Sequence, residues 1–148
     1  MVARYADARV PVTFVRVGAG VVSVEANPGA LARVLANIVD NSVRYASTGV
    51  AVSVGSAAEG VAVLAVTDDG PGIPAADRAR VFERFTRLHD ARDRNTGGSG
   101  LGLAIVGELV RQQGGSVTLD DKSPGGDPPG LRVEVHLPSH RLDGAAAS

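Results

Sequence analysis

Valine-rich runs alternate along this chain with segments whose apolar residues recur at helical spacing. Six runs are rich in β-branched residues or alternate apolar with polar residues, which is typical of strands. In the last run the odd-numbered residues are apolar and the even-numbered ones polar, so its two faces are expected to meet a core and solvent. The predicted strands are residues 10–17, 21–25, 50–56, 61–67, 116–121 and 131–137.

Three segments predict helices. The first, residues 27–46, begins with Asn27 as a cap and Pro28 at the first helical position, and its apolar residues then recur at helical spacing. The second is expected at residues 74–85, and the third at residues 101–113, where a Gly-Gly pair closes it. Strands and helices in this order favour a mixed α/β sandwich, in which one sheet is covered on one side by a few helices.

The remaining segments set the domain boundaries. Residues 86–99 are polar and contain glycine without periodicity, which predicts a mobile loop. Residues 1–9 are expected to be the remnant of a linker, residues 10–138 to form one domain, and residues 139–148 to be a disordered tail.

Composition excludes several classes of function. The 148 residues suit one domain and include no cysteine, which rules out disulfides, thiol catalysis and zinc-thiolate sites. The formal net charge of −1 gives no general attraction to nucleic acid, so none is predicted as a partner. Lys122 is the only lysine, and the Gly-Lys-Ser/Thr of a Walker phosphate loop is absent.

The first helix carries a polar stripe beside its apolar face. At about 100° per residue, Asn37, Asn41, Arg44 and Tyr45 fall on one side. An asparagine oxygen there can coordinate Mg²⁺, which takes few protein ligands beside phosphates and water. Arg44 can reach a phosphate and Tyr45 can lie against a flat base. The alternative is that the asparagines cap turns or bond neighbouring strands.

A second motif follows the fourth strand, in the sequence Asp-Asp-Gly-Pro-Gly-Ile. The Asp68 carboxylate can accept a hydrogen bond from an adenine amino group, while Gly70 and Gly72 let the backbone approach the base closely. Ile73 ends the motif. The alternative is an ordinary acidic turn between a strand and a helix.

Two further segments flank the polar loop. A glycine-rich stretch at residues 98–103 leads into the third helix, whose N-terminus offers backbone N–H groups to phosphates. The alternative is a hinge followed by a helix cap. The segment 81–87 contains two phenylalanines expected to pack the base of the loop. Arg87 begins that loop and can swing over a γ-phosphate, whereas Arg84 is expected to be solvated.

In this order the four segments resemble the N, G1, F and G2 boxes of the ATP-binding domain of sensor histidine kinases. That domain belongs to the Bergerat-fold family, together with gyrase, Hsp90 and MutL-type ATPases. The resemblance covers residues 10–138. It implies a two-layer α/β (α+β) sandwich with a mixed, mostly antiparallel sheet covered on one face by about three helices. ATP would lie between the helices, under a lid at residues 86–99.

The resemblance implies a role for each matching residue. Asn41 matches the asparagine that binds Mg²⁺, and Asp68 matches the aspartate that reads adenine. Catalytic roles are expected for Asn37 and Arg87. The other residues expected to bind ATP are Arg44, Tyr45, Gly70, Gly72, Ile73, Gly98, Ser99, Gly100, Leu101, Gly102 and Leu103, with Asn37 among them as well.

Asn37 helps to decide which branch of the family the chain resembles. Members that hydrolyse ATP usually carry a glutamate at this position, one turn before the metal-binding asparagine, to activate water. An amide cannot act as a general base, and histidine kinases generally show one here. Asn37 therefore predicts a site that keeps the γ-phosphate from water until an acceptor arrives.

The resemblance also implies partners. The γ-phosphate would pass to a histidine on a dimerisation domain and then to a response regulator. None of His89, His136 and His140 lies in a predicted pair of dimerisation helices. The chain is thus expected to be a monomeric fragment, inactive in autophosphorylation by itself, and the cytoplasmic portion of an inner-membrane sensor kinase.

Three alternatives remain open at this point. A serine kinase of the anti-sigma type shares the fold and similar boxes, and is usually a chain of about this length. A degenerate nucleotide-binding module would keep the fold without the reaction. A Bergerat ATPase fragment is opposed by Asn37.

Overall fold

The computed structural model describes residues 8–18, 23–58, 60–82 and 102–140. These residues form one six-stranded sheet, two α-helices and two short 3₁₀ turns. The strands are β1 (Val12–Arg16), β2 (Ser23–Val24), β3 (Val50–Ala58), β4 (Val61–Asp68), β5 (Ser116–Asp120) and β6 (Leu131–His140). The helices are α1 (Pro28–Tyr45) and α2 (Gly102–Gln112), and the 3₁₀ turns span Ala75–Asp77 and Arg80–Phe82.

The sheet is mixed and mostly antiparallel, as predicted. Its order is β1-β3-β4-β6-β2, and β5 also pairs with β6. Only the β1–β3 pair is parallel among the described strands. The β3–β4 hairpin turns at Gly60, whose φ of +80° favours glycine. Its strands pair in one register from Val50↔Asp68 to Ser56↔Ala62, and the register shifts between Ser56 and Ala58. The first of these pairs places Asp68 at the end of the sheet nearest the C-terminus of α1.

The core lies between the helices and one face of the sheet. In β6 the apolar residues alternate with half-buried polar ones, so the predicted division of faces is confirmed. On the polar side Glu134 bonds both Arg132 and His136. The apolar side packs against α1 and α2, and the fully buried residues there include Val34, Ile38, Val39, Val66, Val106, Val110, Val133 and Val135.

Helix α1 is fixed at both ends. At its start the Asn27 side chain accepts a hydrogen bond from the Ala30 N–H at 3.0 Å, and Pro28 occupies the first turn, as predicted. At its end the Arg9 guanidinium donates to the carbonyl oxygens of Val43, Arg44 and Ala46. A cation at this position offsets the negative end of the helix dipole and satisfies carbonyls that have no helical partner.

Two sequence-based predictions are wrong, one about a helix and one about where the last strand ends. The helix predicted at residues 74–85 is replaced, as far as Phe82, by two 3₁₀ turns. Arg78 between them donates to the Ile73 carbonyl and to Asp121, and these tertiary bonds hold the segment in short turns. The disordered tail was predicted from residue 139, yet β6 continues through His140, because Ser139 and His140 pair with β2.

Other predictions fall on residues outside the described ranges. These are residues 1–7 of the linker predicted at 1–9, the loop at 86–99, and residues 141–148 of the tail predicted at 139–148. The last two residues of the predicted linker are described and belong to the fold, since Ala8 packs against the core and Arg9 bonds the end of α1. Within the described residues, no helix combines the length and apolar character needed to cross a membrane.

Candidate functional site

The polar stripe of α1 lies at the edge of the core. Asn37 and Asn41 are half-buried, Arg44 is exposed and Tyr45 is 50% exposed. The Asn37 Nδ2 atom is buried and has no hydrogen-bond partner among the described residues. A buried amide donor without a partner is costly, so the structure gives no support to the alternative that this asparagine ties neighbouring elements together.

Asp68 is the buried acidic group at this end of the sheet. Only 2% of it is exposed, and its Oδ1 accepts the Gly70 N–H at 2.8 Å. Burial raises the pKa of the Asp68 carboxyl, because the charged form loses its water, and Asp69 nearby raises it further. Donors on Gly70, Ser42 and Leu131 oppose this by stabilising the charged form. No arginine or lysine neutralises Asp68 in the described part of the chain.

The glycines after Asp68 allow close backbone packing, as the motif predicted. A Cβ added at Gly70 would lie 2.9 Å from the carbonyl carbon of Tyr45 and closer still to its oxygen. Gly72 has φ of +76°, and a Cβ there would lie 2.6 Å from the carbonyl oxygen of Gly130. The turn is therefore enclosed by the end of α1 on one side and by Gly130 on the other.

Asp69 is a residue whose role the sequence did not reveal. Its carboxylate accepts hydrogen bonds from the backbone N–H groups of Ser47, Thr48 and Gly49 and from the Thr48 hydroxyl. These donors lie about 20 residues earlier in the chain. Asp69 thus attaches the segment after α1 to the turn that carries Asp68. Its position next to Asp68 was the only available signal.

Replacing Asp69 with asparagine is expected to destabilise the domain at neutral pH. The Thr48 and neighbouring donors lower the pKa of Asp69 below its ordinary value of 3.8. A carboxyl with a lowered folded-state pKa stabilises the fold above the unfolded value, and this stability is lost as the pH falls. The difference in urea midpoint between wild type and Asp69→Asn should therefore be largest near pH 7 and shrink below about pH 4. Asp120→Asn, which changes an exposed carboxyl, is the control. A midpoint difference between wild type and Asp69→Asn that was equal at neutral and acidic pH would contradict a stabilising role of the Asp69 charge.

Arg78 is a second residue that the sequence did not single out. Its Nε donates to the Ile73 carbonyl at 3.0 Å, and its NH2 group bonds Asp121 at 2.7 Å. Ile73, predicted as an ATP-binding residue, is half-buried against the core. Arg78 therefore ties the end of the glycine turn to the segment that follows β5.

The glycine-rich stretch at residues 98–103, which is predicted to face the phosphates, is only partly described. Gly98, Ser99, Gly100, Leu101 and Arg87 lie outside the described residues. Gly102 is the first residue of α2, as the prediction of a glycine-led helix N-terminus required. The Leu103 side chain is 3% exposed and belongs to the core, so only its backbone can face a ligand.

A magnesium site made by protein side chains alone is absent from the described ranges, where no group of three His, Asp or Glu residues could hold a metal. The half-buried Asn41, one helical turn from Asn37, offers an amide oxygen on the same side of α1. A single protein oxygen suits Mg²⁺ when phosphates and water complete its shell. The residues present fit a nucleotide-bound magnesium ion.

The chain matches known proteins over most of its length. Residues 26–141 match the family described as histidine kinase-, DNA gyrase B- and HSP90-like ATPases. The signal transduction histidine-protein kinase/phosphatase MprB of Mycolicibacterium vanbaalenii is 46% identical over 110 residues, 73% of this chain and 22% of MprB. The sensor histidine kinase CpxA of Escherichia coli strain K12 is 42% identical over 115 residues, 78% of this chain and 24% of CpxA.

A solved structure agrees with this match. A mycobacterial sensor histidine kinase MprB has a TM-score of 0.79 and 32% identity, covering 95% of this chain and 89% of that chain. The two-layer fold predicted from the motifs is thereby confirmed. Because both curated relatives are named as histidine kinases, the comparisons favour that interpretation over the serine kinase alternative. The chain spans about a quarter of the length of these relatives.

Proposed function

Because this chain belongs to the family of histidine kinase-, DNA gyrase B- and HSP90-like ATPases, we propose that it binds Mg-ATP as the catalytic domain of a sensor histidine kinase. Its task is to hold the nucleotide and present the γ-phosphate to a histidine on another domain. Such catalysis depends on positioning and on charge neutralisation more than on covalent chemistry by the protein.

The observation that carries the proposal is the buried, unneutralised carboxylate of Asp68. Ionising it there costs free energy, since it is almost fully removed from water. That cost is offset when a ligand supplies hydrogen-bond donors, and the amino group of adenine is such a donor. Gly70 and Gly72 keep the backbone beside it free of side chains.

The polar stripe of α1 supports the phosphate end of the same proposal. Asn41 would hold Mg²⁺, which neutralises charge on the phosphates when it is bound. Asn37, which cannot serve as a general base, leaves the γ-phosphate without an activated water. The N-terminal backbone of α2, from Gly102, would face the phosphates, and Arg44 and Tyr45 would contact the nucleotide.

The acceptor and the later partner belong to the proposal too. We expect the phosphoacceptor histidine on a dimerisation domain and the final acceptor on a response regulator, with this domain on the cytoplasmic side of the membrane. Incubating the chain with labelled ATP and a separately expressed dimerisation domain tests the transfer. The product should be an acid-labile phosphohistidine; an acid-stable phosphoserine would favour the anti-sigma alternative.

Replacing Asn41 with alanine is expected to remove most of the magnesium dependence of ATP binding. Losing one metal ligand should lower the affinity for Mg-ATP about 10- to 100-fold, with a smaller effect when magnesium is absent. Titration calorimetry with a non-hydrolysable ATP analogue, with and without Mg²⁺, measures both affinities.

The matched control is Arg33→Ala, which changes an exposed residue on the same helix. Its affinity should equal that of the wild type under both conditions. An Asn41→Ala protein that bound Mg-ATP as tightly as the wild type would refute the metal assignment. Wild-type protein without any binding would refute the nucleotide site itself.

A further inference from the structure

Helix α1 ends directly after Tyr45 because the backbone groups of the next possible turn are bound elsewhere. A further turn would need the N–H groups of residues 47–50 to donate to the carbonyls four residues earlier. The Asp69 carboxylate accepts the first three of these N–H groups, and the Pro11 carbonyl oxygen accepts the fourth at 3.0 Å. The carbonyls of residues 43–46 therefore lose their helical donors.

Arg9 supplies new donors to most of these carbonyls. One nitrogen of its guanidinium bonds the carbonyl oxygens of Val43 at 2.7 Å, Arg44 at 3.3 Å and Ala46. A cation is also favourable at this point because it faces the negative end of the helix dipole. Arg9 and Asp69 thus complete one helix end together, with the cation on its carbonyls and the anion on the N–H groups that follow.

The helix end that these two residues complete belongs to the proposed nucleotide site. Arg44 and Tyr45 are the last two residues of α1, and both are proposed to contact the nucleotide. Arg9 holds the carbonyls on either side of Tyr45, whose own carbonyl lies against Gly70. The last turn of a helix frays when its carbonyls have no partners. The positions of Arg44 and Tyr45 therefore depend on Arg9.

Arg9 reaches this helix end from outside the elements that carry the site. It precedes β1, lies 35 residues before Arg44 in the chain and is exposed to solvent. The backbone beside it is anchored, since Val10 belongs to the buried core and the Pro11 carbonyl bonds the start of β3. A side chain anchored in this way can hold α1 in place without touching the ligand.

We propose that Arg9 is a positioning residue for nucleotide binding, which acts by holding the last turn of α1 against the turn at Gly70. This inference rests on the proposed function. Because coupling between two parts of a protein is reciprocal, bound Mg-ATP in turn stabilises the contact of Arg9 with α1. A displacement of the segment before β1 would therefore lower the affinity for Mg-ATP.

The test compares the two ends of the same helix. Arg9→Ala removes the donors at the C-terminal end, and Asn27→Ala removes the side chain that accepts the Ala30 N–H at the other end, about 27 Å away. Both variants should unfold at a lower urea concentration than wild type. Titration calorimetry with Mg²⁺ and a non-hydrolysable ATP analogue should show about 10-fold weaker binding for Arg9→Ala and wild-type affinity for Asn27→Ala.

Hydrogen exchange without nucleotide gives a second readout. The amides of residues 47–49 should exchange faster in Arg9→Ala than in wild type, whereas Asn27→Ala should leave their exchange unchanged. Arg9→Lys keeps a cation but has a shorter reach, so its affinity should lie between those of wild type and Arg9→Ala. Arg9→Lys also takes the place of Arg9→Ala in both measurements if the alanine variant does not fold.

An Arg9→Ala protein that bound the analogue as tightly as wild type would overturn the proposal, because Arg9 would then only stabilise the fold. Equal losses of affinity in Arg9→Ala and Asn27→Ala would overturn it as well, since a general loss of stability would explain both. Unchanged exchange at residues 47–49 in Arg9→Ala would show that Arg9 does not hold the helix end. Wild type that failed to bind the analogue would instead refute the proposed function.

Discussion

Replacing Asp68 with asparagine is expected to weaken ATP binding about 10- to 100-fold, as for a hydrogen bond to a buried charge, while the nucleotide-free domain becomes no less stable. The asparagine oxygen can still accept the Gly70 N–H, so the turn keeps its shape. The amide nitrogen that replaces the second carboxyl oxygen would donate, and it would face the donor of the adenine amino group.

The stability side of this prediction follows from the direction of the pKa shift. Burial raises the folded-state pKa of Asp68 above its ordinary value. Such a carboxyl stabilises the fold below its unfolded pKa, and that contribution is lost as the pH rises through the folded-state value. As the pH rises above the ordinary pKa, the wild type therefore loses stability relative to Asp68→Asn, which has no carboxyl to ionise.

Urea unfolding of wild type and variant at about pH 4 and pH 7 separates these effects. Stability of Asp68→Asn relative to wild type should rise between the two pH values, which is opposite to the trend expected for Asp69→Asn. Calorimetry on the same samples gives the affinities, with the exposed Asp120→Asn as the control. An Asp68→Asn protein that kept its affinity for ATP would contradict the adenine assignment.

Gly70→Ala is expected to have the second large effect, through packing rather than charge. The added Cβ would lie 2.9 Å from the Tyr45 carbonyl carbon and 3.1 Å from the Asp68 Oδ1. Backbone atoms cannot move aside as a flexible side chain can, so either α1 or the turn must shift. We expect the free energy of unfolding to fall by about 1–3 kcal/mol and ATP binding to fall below detection, because the displaced turn carries Asp68.

Gly49→Ala is a matched control for this experiment. Its added Cβ would make an ordinary 3.6 Å contact with the Pro11 carbonyl oxygen, and Gly49 is near the same turn. Urea unfolding and calorimetry should show wild-type behaviour for this variant. Equal stabilities of Gly70→Ala and Gly49→Ala would mean that the close approach at Gly70 is not needed.

Local signals in the sequence predicted most of the fold. The Asn27-Pro28 start of α1 depends on bonds within one turn, and the alternation in β6 depends on neighbouring residues. The structure has both. The prediction of a helix after Pro74 was wrong because this segment depends on a distant contact. Arg78 bonds Asp121, which lies 43 residues further along the chain. No residue near Arg78 in the sequence indicates that Asp121 is its partner.

The residues of the candidate site also divide into those that a local motif predicts and those that depend on distant contacts. Asp68, Gly70 and Gly72 were visible because a strand end followed by glycines is a short motif. Asp69 was missed, because its donors lie about 20 residues earlier in the chain and only the fold brings them beside its carboxylate.

The central place of β6 has a consequence for synthesis on the ribosome. Of the described strands, β5 and β2 have no partner other than β6, and β4 gains its second neighbour from it. The ribosome makes β6 last among these strands, so the N-terminal part emerges with open hydrogen-bonding edges. Such edges invite pairing with other chains. A chain released before residue 131 would therefore be a target for aggregation or proteolysis rather than a smaller working domain.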